Sequence, residues 1–404
     1  MKHVIIGTGA AGISAARTIR KLTNSDEIVM ISADNIINSR SMLHKYIGGE
    51  RDASSLSFIP TDFFESNNIQ WLIRSVTGLD TTQKLVLTDT DSISYDTLLI
   101  ATGANSSTPP IGALQTAKNV YGLRHFTDAE AIKAAAASAD KIVIIGAGLV
   151  GLDAAQALIE LGKNQITIVE MGDRILPVNL DSQAAAAYRY LFEQHGCAFL
   201  LEERVTDTIC SGELVTSIVL DGNKQLECDI VIVATGTRPA IGFLADSGID
   251  FDRAVTVDSN LRTSNSSVFA AGDVTGLSGI WPNAVKQGEI AGMNMCGSNA
   301  VYSDSFSAKN TINFFGLITL SVGKINADDG DIVLTREDRR GYKKLILTGD
   351  TVSGVILQGD ISQSGFWQYL VKNKISIGNK DPWKISYANF FAIDEDGEYF
   401  YKTG

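Results

Sequence analysis

The sequence is poor in cysteine, histidine and proline for its length. Four cysteines, four histidines and seven prolines occur among 404 residues. The cysteines lie far apart and form no C-x-x-C pair, so we expect buried free thiols in a reducing compartment. The histidines have no metal-ligand spacing, and we predict no protein-bound metal. These residues are Cys197, Cys210, Cys228, Cys296, His3, His44, His125 and His195.

Long apolar runs and basic stripes are also missing. No run is long enough to span a bilayer, and the apolar start after Met1 is too short, and too soon broken by glycine, for a signal peptide. The formal net charge of −12 would repel a phosphate backbone, which excludes nucleic acid as a partner. With 45% hydrophobic and 20% charged residues, the composition is that of a globular protein of two or three domains, expected in the cytoplasm.

Glycine is concentrated at the start of the chain. The apolar run His3–Ile6 predicts a buried parallel strand, and it ends at Gly7-Thr8-Gly9-Ala10-Ala11-Gly12, a G-x-G-x-x-G turn followed by a helical pattern from Ile13. In this motif the glycines allow a tight turn, contact with a pyrophosphate and close helix packing. A second strand, Glu27–Ile31, ends near Asp34, about 20 residues beyond the last glycine, where an acid binds a ribose hydroxyl. This pattern predicts a dinucleotide site.

The same pattern recurs in the middle of the chain. A strand at 141–145 leads into Gly146-Ala147-Gly148-Leu149-Val150-Gly151 and a helix, and the next strand ends in Glu170. Two complete patterns predict two dinucleotide sites, and the alternative is one functional site and one relic. Glu170 should bind both hydroxyls of an adenosine ribose and repel a 2′-phosphate, which favours NADH over NADPH. The nearby Arg174 keeps that preference open.

Each of the two predicted dinucleotide-binding segments is followed by a strand that ends in the same turn. One buried strand ends in Ala101-Thr102-Gly103 and a later one in Ala234-Thr235-Gly236. A further strand ends in Gly272-Asp273, whose carboxylate either binds a sugar hydroxyl or simply caps a helix. The helix that begins near Trp281-Pro282 has an N-terminus suited to an anion.

Two groups of basic residues have two interpretations each. Arg40 and Lys45 lie near the first predicted site and would pair with a pyrophosphate, or else belong to a solvated basic face. Arg336–Lys344 predicts a charged hairpin tip, and the alternative is a docking patch for an acidic partner.

Beyond about Ala308 the nucleotide-binding patterns stop. Strand-like segments at 311–322, 332–335, 342–348 and 352–358, followed by a helix near 363–372, predict an antiparallel sheet with a helix. This part should form a separate α+β domain.

Together these features resemble the FAD-dependent pyridine nucleotide-disulfide oxidoreductase superfamily along nearly the whole chain. Within it, Ser39-Arg40-Ser41-Met42-Leu43-His44-Lys45 is similar to a Tyr-x-Arg-Pro-x-Leu-x-Lys type segment. That segment belongs to NADH:rubredoxin reductases, oxygenase-type ferredoxin reductases and the flavin half of NADH-dependent nitrite reductases. Disulfide-using relatives place cysteines where residues 36–43 stand, and none is present here.

The resemblance implies an α/β fold with two Rossmann-like FAD/NAD(P)-binding domains, as in glutathione reductase, and a small C-terminal α+β domain. The implied FAD-binding domain is discontinuous, at 1–110 and 242–308. The NAD-binding domain would be 111–241, and the C-terminal domain 309–404.

The resemblance also implies the site residues. Lys45 and Asp153 would be catalytic, as an ion pair beside flavin N5, although the family often has Glu where Asp153 stands. FAD would be held by Gly7, Gly9, Ala10, Ala11, Gly12, Asp34, Arg40, Lys45, Val76, Ala101, Thr102, Gly103, Arg124, Gly272, Asp273, Trp281, Ala284 and Val285. NADH would be held by Gly146, Gly148, Leu149, Val150, Gly151, Asp153, Glu170 and Gly236.

With no thiol relay, the resemblance implies hydride transfer from NADH to flavin and then electron transfer to an external one-electron carrier. Rubredoxin, ferredoxin or a partner reductase subunit would serve as that acceptor. Two alternatives stay open: an NADH oxidase that reduces oxygen, and an NADH-controlled flavoprotein scaffold similar to apoptosis-inducing factor. Whether the protein is a monomer or a homodimer also stays open.

Overall fold

The computed structural model describes residues 1–303, 306 and 308–401. The chain divides into two compact units. The first consists of Met1–Met171 and His195–Ser307, and the second of Gly172–Gln194 and Ala308–Gly404.

The helices are short to medium in length. The α-helices are α1 (Ala10–Leu22), α2 (Leu43–Ile47), α3 (Phe63–Ser66), α4 (Phe126–Ala136), α5 (Leu149–Glu160), α6 (Ser182–Gln194), α7 (Trp281–Met295), α8 (Ser364–Asn373) and α9 (Tyr387–Phe390). Turns of 3-10 helix occur at Arg40–Met42, Ser54–Leu56, Asp221–Asn223, Gly242–Leu244 and Asp273–Thr275. None of the helices in the described residues is both long enough and apolar enough to cross a membrane.

The strands form seven sheets in the described residues. They are β1 (Lys2–Ile6), β2 (Glu27–Ser32), β3 (Ile69–Ile73), β4 (Val76–Asp80), β5 (Leu85–Thr88), β6 (Ser92–Ser94), β7 (Thr97–Ile100), β8 (Ala104–Ser106), β9 (Val120–Tyr121), β10 (Ile142–Ile145), β11 (Ile166–Val169), β12 (Cys197–Leu200), β13 (Val205–Ser211), β14 (Leu214–Leu220), β15 (Gln225–Glu227), β16 (Ile230–Val233), β17 (Thr237–Pro239), β18 (Val268–Ala270), β19 (Lys309–Phe314), β20 (Leu317–Gly323), β21 (Ile332–Asp338), β22 (Gly341–Thr348), β23 (Thr351–Gly359), β24 (Phe391–Ile393) and β25 (Tyr399–Tyr401).

The first unit contains a parallel sheet built around the N-terminal strand. Its order is β18-β7-β1-β2-β3, and Ile5 on β1 pairs with Met30 on β2 and Leu99 on β7. The last four residues of β1, from His3 to Ile6, are at most 4% exposed, as a strand covered on both faces requires. Because these strands are parallel and in register, the turns after β1, β7 and β18 meet at one edge of the sheet.

A second parallel sheet in the same unit repeats this plan. Its order is β12-β11-β10-β16-β9, and Ile144 on β10 pairs with Ile168 on β11 and Ile232 on β16. In each sheet the strand before the glycine turn lies between the strand that leads to the acid and the strand that ends in Ala-Thr-Gly. The predicted duplication is therefore present in the backbone topology.

Smaller sheets accompany the two parallel ones. β4, β5 and β6 form an antiparallel sheet, and so do β13, β14 and β15. The segments that follow the two Ala-Thr-Gly turns pair with each other as β8 and β17, with Thr237 opposite Ser106. The two duplicated halves are thus joined directly after their matching turns.

The second unit is an antiparallel sheet of order β19-β20-β23-β22-β21 with α6 and α8. The predicted helix near 363–372 is α8, and the predicted hairpin tip lies between β21 and β22. The predicted strand at 311–322 is wrong as one strand. It is the hairpin β19–β20, because Phe315 and Gly316 both have positive φ angles, of 52° and 82°, and reverse the chain there.

Candidate functional site

The first glycine turn closes tightly and leaves one face open. A Cβ on Gly7 would lie 2.2 Å from the carbonyl oxygen of Ala101, and one on Gly12 would lie 2.0 Å from the carbonyl oxygen of Gly7. A Cβ on Gly9 would meet nothing within 4 Å. Gly9 is the N-cap of α1, and no side chain caps this helix end, so its N–H groups are available to an anion.

The second glycine turn repeats this geometry. A Cβ on Gly146 would lie 2.5 Å from the carbonyl oxygen of Ala234, and one on Gly151 would lie 2.0 Å from that of Gly146. Gly148 faces open space and starts α5, again without a side-chain cap. Leu149 and Val150 form the first turn of α5, and the side chain of Val150 is 39% exposed.

Glu170 is fixed beside this second turn. Its Oε2 accepts a hydrogen bond of 2.8 Å from the N–H of Ala147. The carboxylate is therefore held next to the open helix end, as the sequence pattern predicts for an acid that binds a ribose. Gly236, with φ of 107°, follows β16 and has open space where a side chain would lie.

Asp34 lies beside an arginine that is close to it in the sequence and a histidine that is distant. Its carboxylate is 3.6 Å from Nη2 of Arg40 and 3.6 Å from Nδ1 of His125. His125, and after it Arg40, lower the pKa of Asp34 below its ordinary value, against the opposing effect of burial. Arg40 also donates to the carbonyl oxygen of Arg124, at 3.4 Å. His125 was not among the predicted site residues, because the sequence shows no pattern that connects it to Asp34.

Arg124 connects two of the predicted turns, the one that ends at Gly103 and the one that contains Asp273. Its Nη2 pairs with the carboxylate of Asp273 at 2.5 Å, and its Nε donates to the carbonyl oxygen of Ala104 at 2.9 Å. A Cβ on Gly103 would lie 3.8 Å from the same guanidinium. The carboxylate of Asp128 on α4 accepts hydrogen bonds from the N–H groups of Arg124 and the following residue, which fixes this arginine in place. Asp273 begins a 3-10 turn and pairs with Arg124, so it does more than cap a helix.

Gln287 is a polar side chain that the sequence analysis missed. It is completely buried, and its Oε1 accepts the N–H of Gly272 at 2.8 Å. Its Nε2 has no hydrogen-bond partner among the described residues. A buried amide donor without a partner is costly and indicates a missing acceptor atom. A polar cofactor held at this edge would provide one.

The helix that carries Gln287 packs closely on α1. A Cβ on Gly288 of α7 would lie 2.1 Å from the carbonyl oxygen of Ala11. At the N-terminal end of α7, Trp281 packs edge-on against Phe58, with ring centroids 4.8 Å apart. Ala284, on the first turns of α7, is buried.

The remaining predicted residues lie around the same sheet edge or close to its core. Ala10 is the first residue of α1, and Ala101 and Thr102 follow β7. Val76 starts β4 and packs against the core cluster that contains Ile6. Val285 is half-buried on α7.

The predicted ion pair between Lys45 and Asp153 is not formed within 4.0 Å among the residues that the structure describes. Lys45 Nζ instead donates to Glu50 Oε1 at 2.6 Å, and Nδ1 of His44 lies 3.8 Å from the carboxylate of Asp153. The physical reason is reach. Glu50 follows Lys45 closely in the chain and competes for its ammonium, whereas Asp153 is one methylene shorter than the glutamate frequent in the family.

Without this ion pair, the surroundings of Asp153 disfavour its charged carboxylate form. Burial raises the pKa of Asp153 to about 7, although the positive charge of Lys45 opposes the shift. Burial, and then the charge of Lys45, lower the pKa of His44 to about 4. A neutral imidazole therefore lies beside a carboxyl group that changes protonation near neutral pH. His44 and Glu50 were not among the predicted residues.

The cysteines do not form a relay. Cys197 and Cys228 are buried, and burial raises the pKa of each thiol to about 12. Cys210 is exposed, and Cys296 is intermediate; all four are free thiols. No cysteine occurs in the glycine turns or between residues 36 and 43.

Two family models match the chain. Residues 1–288 match the model described as pyridine nucleotide-disulphide oxidoreductase. Residues 309–375 match the model described as rubredoxin NAD+ reductase C-terminal domain.

Curated relatives match over most of this chain. The nitrite reductase [NAD(P)H] of Bacillus subtilis is 29% identical, and the alignment covers 89% of this chain but 46% of that protein. Subunit epsilon of the NADH-dependent phenylglyoxylate dehydrogenase of Aromatoleum evansii is 29% identical, with 93% and 92% covered. A rubredoxin-NAD(+) reductase of Alcanivorax borkumensis is 32% identical, with 68% and 72% covered. The chain thus spans about half the length of the first of these relatives.

Solved structures agree with the fold. A ferredoxin reductase from Rhodopseudomonas palustris superposes with a TM-score of 0.84 at 22% identity, covering 93% of this chain and 95% of that one. A NAD-dependent persulfide reductase from A. fulgidus gives a TM-score of 0.84 at 27% identity, covering 93% and 78%.

Proposed function

The chain belongs to the pyridine nucleotide-disulphide oxidoreductase family, and from this premise we propose that it is an FAD-dependent enzyme that oxidises NADH and passes electrons to a small iron–sulfur carrier. One observation carries the proposal: two uncapped helix N-termini, each behind a glycine turn and each followed by an acid, lie in a chain that has no cysteine at the relay position.

We propose that FAD is held at the edge of the first sheet. The N–H groups of α1 suit the pyrophosphate, Asp34 suits a ribose hydroxyl, and the free Nε2 of Gln287 supplies a donor. When bound, FAD accepts a hydride and releases electrons singly. The proposed contacts are Gly7, Gly9, Ala10, Ala11, Gly12, Asp34, Arg40, Lys45, Val76, Ala101, Thr102, Gly103, Arg124, Gly272, Asp273, Trp281, Ala284, Val285 and Gln287.

We propose that NADH is held at the edge of the second sheet. The uncapped end of α5 suits its pyrophosphate, and Glu170 suits the adenosine ribose. The negative charge of Glu170 would repel a 2′-phosphate, which supports NADH over NADPH. The proposed contacts are Gly146, Gly148, Leu149, Val150, Gly151, Asp153, Glu170 and Gly236.

Lys45 and Asp153 keep a catalytic role in this proposal, without an ion pair between them. The ammonium of Lys45 is held in position by its hydrogen bond to Glu50, from where it can stabilise negative charge on a bound ring. Asp153, with a pKa near 7, can hold or release one proton at neutral pH. His44 stays neutral beside it and limits the charge of the pair.

The acceptor is proposed from the relatives and from the missing thiols. Because the chain has no cysteine pair at the relay position, the electrons must pass to an external acceptor. Relatives carry the names rubredoxin-NAD(+) reductase and NADH-rubredoxin oxidoreductase. We therefore place rubredoxin or ferredoxin first among acceptors.

A panel of acceptors tests this function. FAD-loaded protein is mixed with NADH in a stopped-flow instrument and then with rubredoxin, ferredoxin, oxygen or a disulfide. We expect rapid flavin bleaching and reoxidation that is fastest with an iron–sulfur carrier. Fast reoxidation by oxygen alone would instead identify an NADH oxidase, a name that a relative 31% identical to this chain carries.

A lysine variant tests the role of Lys45. Lys45→Ala should slow flavin bleaching about tenfold or weaken flavin retention, because it removes a fixed cation. Lys118→Ala, at an exposed lysine paired with Glu213, is the matched control. Bleaching rate and flavin content unchanged in Lys45→Ala would remove this residue from the site.

A second candidate is an electron-transfer subunit of a larger enzyme. Subunit epsilon of the phenylglyoxylate dehydrogenase matches 93% of this chain and 92% of its own length, so a protein of this size and plan occurs as one subunit of an enzyme. Co-purification of the tagged protein with a stable partner that accepts its electrons would favour this candidate.

A further inference from the structure

The second unit carries a basic groove that the proposed function does not use. The groove has a volume of about 760 Å³ and lies beside the β21–β22 hairpin tip. Five cations and two carboxylates line it, in a chain whose net charge is −12. The charged residues are Arg336, Arg339, Arg340, Lys343, Lys384, Asp338 and Asp360.

Two of these cations have no carboxylate within 4.0 Å among the described residues, although the charge of Arg340, after the hydrogen bonds from Ser362, helps to lower the pKa of Asp360. Arg336 pairs with Asp338 at 3.4 Å, and Lys343 lies 4.0 Å from Asp360. Arg339 and Arg340, at the exposed tip, have no carboxylate within 4.0 Å in the part of the chain that the structure describes. An acidic ligand would therefore meet two free guanidinium groups without breaking an existing pair.

The groove also offers an apolar floor. Trp367, which is buried, and Trp383, which is half-buried, both line it. Leu345, Leu357 and Ile385 also line the groove but are at most 5% exposed, so an apolar side chain of a ligand would mainly contact the half-buried Pro382 and Trp383. A segment that fits must therefore combine carboxylates with aromatic or aliphatic side chains.

The same unit carries a hairpin with the complementary chemistry. β24 and β25 enclose the turn Asp394-Glu395-Asp396-Gly397-Glu398. None of the four carboxylates in this turn pairs with a cation among the described residues. Beside them, Ile393, Tyr399 and Phe400 are 57%, 75% and 47% exposed.

The turn of this hairpin is held in shape before any contact forms. Asp394 Oδ1 accepts hydrogen bonds from the N–H groups of Asp396 and Glu398, and Gly397 has a φ of 84°. A segment that is already ordered loses less conformational entropy on binding. No residue of β24, β25 or their turn lines the groove of its own chain among the described residues.

We infer that the acidic hairpin of one chain binds the basic groove of a second copy. The contact is head to tail, because the two surfaces differ, so it generates a ring or an open chain of subunits. One hairpin in one groove is smaller than a standard protein interface, so the association is weak and depends on concentration. It is also sensitive to salt, since charge pairing drives it against the repulsion of two acidic chains.

Two neutralising variants test this inference on the full-length, FAD-loaded protein. The groove variant is Arg339→Gln with Arg340→Gln, and the hairpin variant is Glu395→Gln with Glu398→Gln. The groove variant keeps the acidic hairpin intact, and the hairpin variant keeps the basic groove intact. The matched control is Arg204→Gln with Arg253→Gln, at two exposed arginines in the first unit.

Sedimentation velocity over a range of protein concentrations is the measurement. Wild type and control should self-associate, with an association constant that falls at least tenfold between roughly 0.05 and 0.5 M salt. Each variant alone should be monomeric. An equimolar mixture of the two variants should form dimers and nothing larger, because it contains one intact hairpin and one intact groove per pair. A monomeric wild type, or association of either variant equal to that of wild type, would overturn the inference.

Discussion

At the scale of single residues, two carboxylates near α5 lie in opposite environments. Glu170 accepts a backbone hydrogen bond from Ala147, while Asp153 is half-buried near the neutral ring of His44. The first carboxylate is therefore fixed by a backbone donor, whereas desolvation raises the pKa of the second. Each difference has a measurable consequence.

Asp153→Asn should change how stability depends on pH. In the wild type the pKa of this carboxyl rises from 3.8 in the unfolded chain to about 7 in the fold. Its favourable contribution is complete below about pH 4 and is lost as the pH rises through 7, because the fold disfavours the charged form. We expect the variant to be more stable than wild type at pH 8 by about 1–3 kcal/mol, and by clearly less at pH 5.

Thermal unfolding of flavin-free protein at the two pH values measures this difference. Asp252→Asn, at an exposed carboxylate, is the control. Melting temperatures of Asp153→Asn and wild type that stay parallel between pH 5 and 8 would show that the carboxyl does not titrate in this range.

Glu170→Ala should weaken the binding of NADH more than that of NADPH. The variant loses hydrogen bonds to the ribose, worth about 1–3 kcal/mol, but for NADPH it also removes a repulsive charge. We expect a loss of about tenfold or more in NADH affinity and a smaller loss, or a gain, for NADPH. Titration of the flavin-loaded protein with each nucleotide measures both; equal losses would remove the ribose role of Glu170.

At the scale of elements, the crossing of α1 and α7 depends on Gly288 and Gly292, where an added Cβ would lie 2.1 and 2.8 Å from carbonyl oxygens of α1. Gly288→Ala would place a methyl group 2.1 Å from the carbonyl oxygen of Ala11, so the helices must separate. Because Gln287 and Trp281 are on the same helix, this movement would also disturb the proposed FAD site.

We expect Gly288→Ala to destabilise the protein by about 3 kcal/mol and to reduce its flavin content. Gly242→Ala, where an added Cβ would meet nothing within 4 Å, should have a small effect on both. Denaturant unfolding and absorbance at the flavin wavelengths measure the two properties. A Gly288→Ala protein with wild-type stability would mean that the helices can separate without loss.

Polar contacts connect the helix α6 to the C-terminal sheet. Its Tyr188 hydroxyl donates to Leu317 at 2.7 Å, and Asp181, just before the helix, accepts from Tyr342 at 2.6 Å and pairs with Lys344 at 3.1 Å. These partners all belong to the C-terminal sheet. The helix therefore belongs to the second unit, although in sequence it lies between β11 and β12.

At the scale of the whole molecule, the proposed FAD site draws on segments from distant parts of the chain. Gly9, Arg124 and Asp273 come together only in the folded first unit. A ligand that binds such a site binds the folded state and not the unfolded one.

Flavin should therefore stabilise the protein measurably. At an FAD concentration of roughly 100 times the dissociation constant, the gain is about 2.7 kcal/mol, seen as a higher melting temperature in calorimetry after flavin removal and readdition. Arg124→Met should lose most of this gain, since it removes the partner of Asp273, whereas Arg189→Met, at an arginine paired with Glu193 in the second unit, should keep it. A melting temperature that does not change when FAD is added would contradict the proposed FAD site.

Much of this molecule follows from its sequence alone. The family and the α/β plan were predicted from local patterns and are confirmed by the family match and the solved structures. They are predictable because a parallel strand, a glycine turn and a helix each depend on residues a few positions apart. Both glycine turns and the position of Glu170 beside the second one follow in the same way.

Only the tertiary structure decided the partners of the charged side chains. Lys45 pairs with Glu50 and not with Asp153, His125 reaches Asp34, and Gln287 is buried with a free donor. Such contacts depend on side-chain lengths and on the packing of segments that can lie far apart in the chain, as those of Asp34 and His125 do. The position of α6 and the basic groove were also not predictable from the sequence. Both depend on contacts between residues that are distant in the chain, and a local sequence pattern does not identify such contacts.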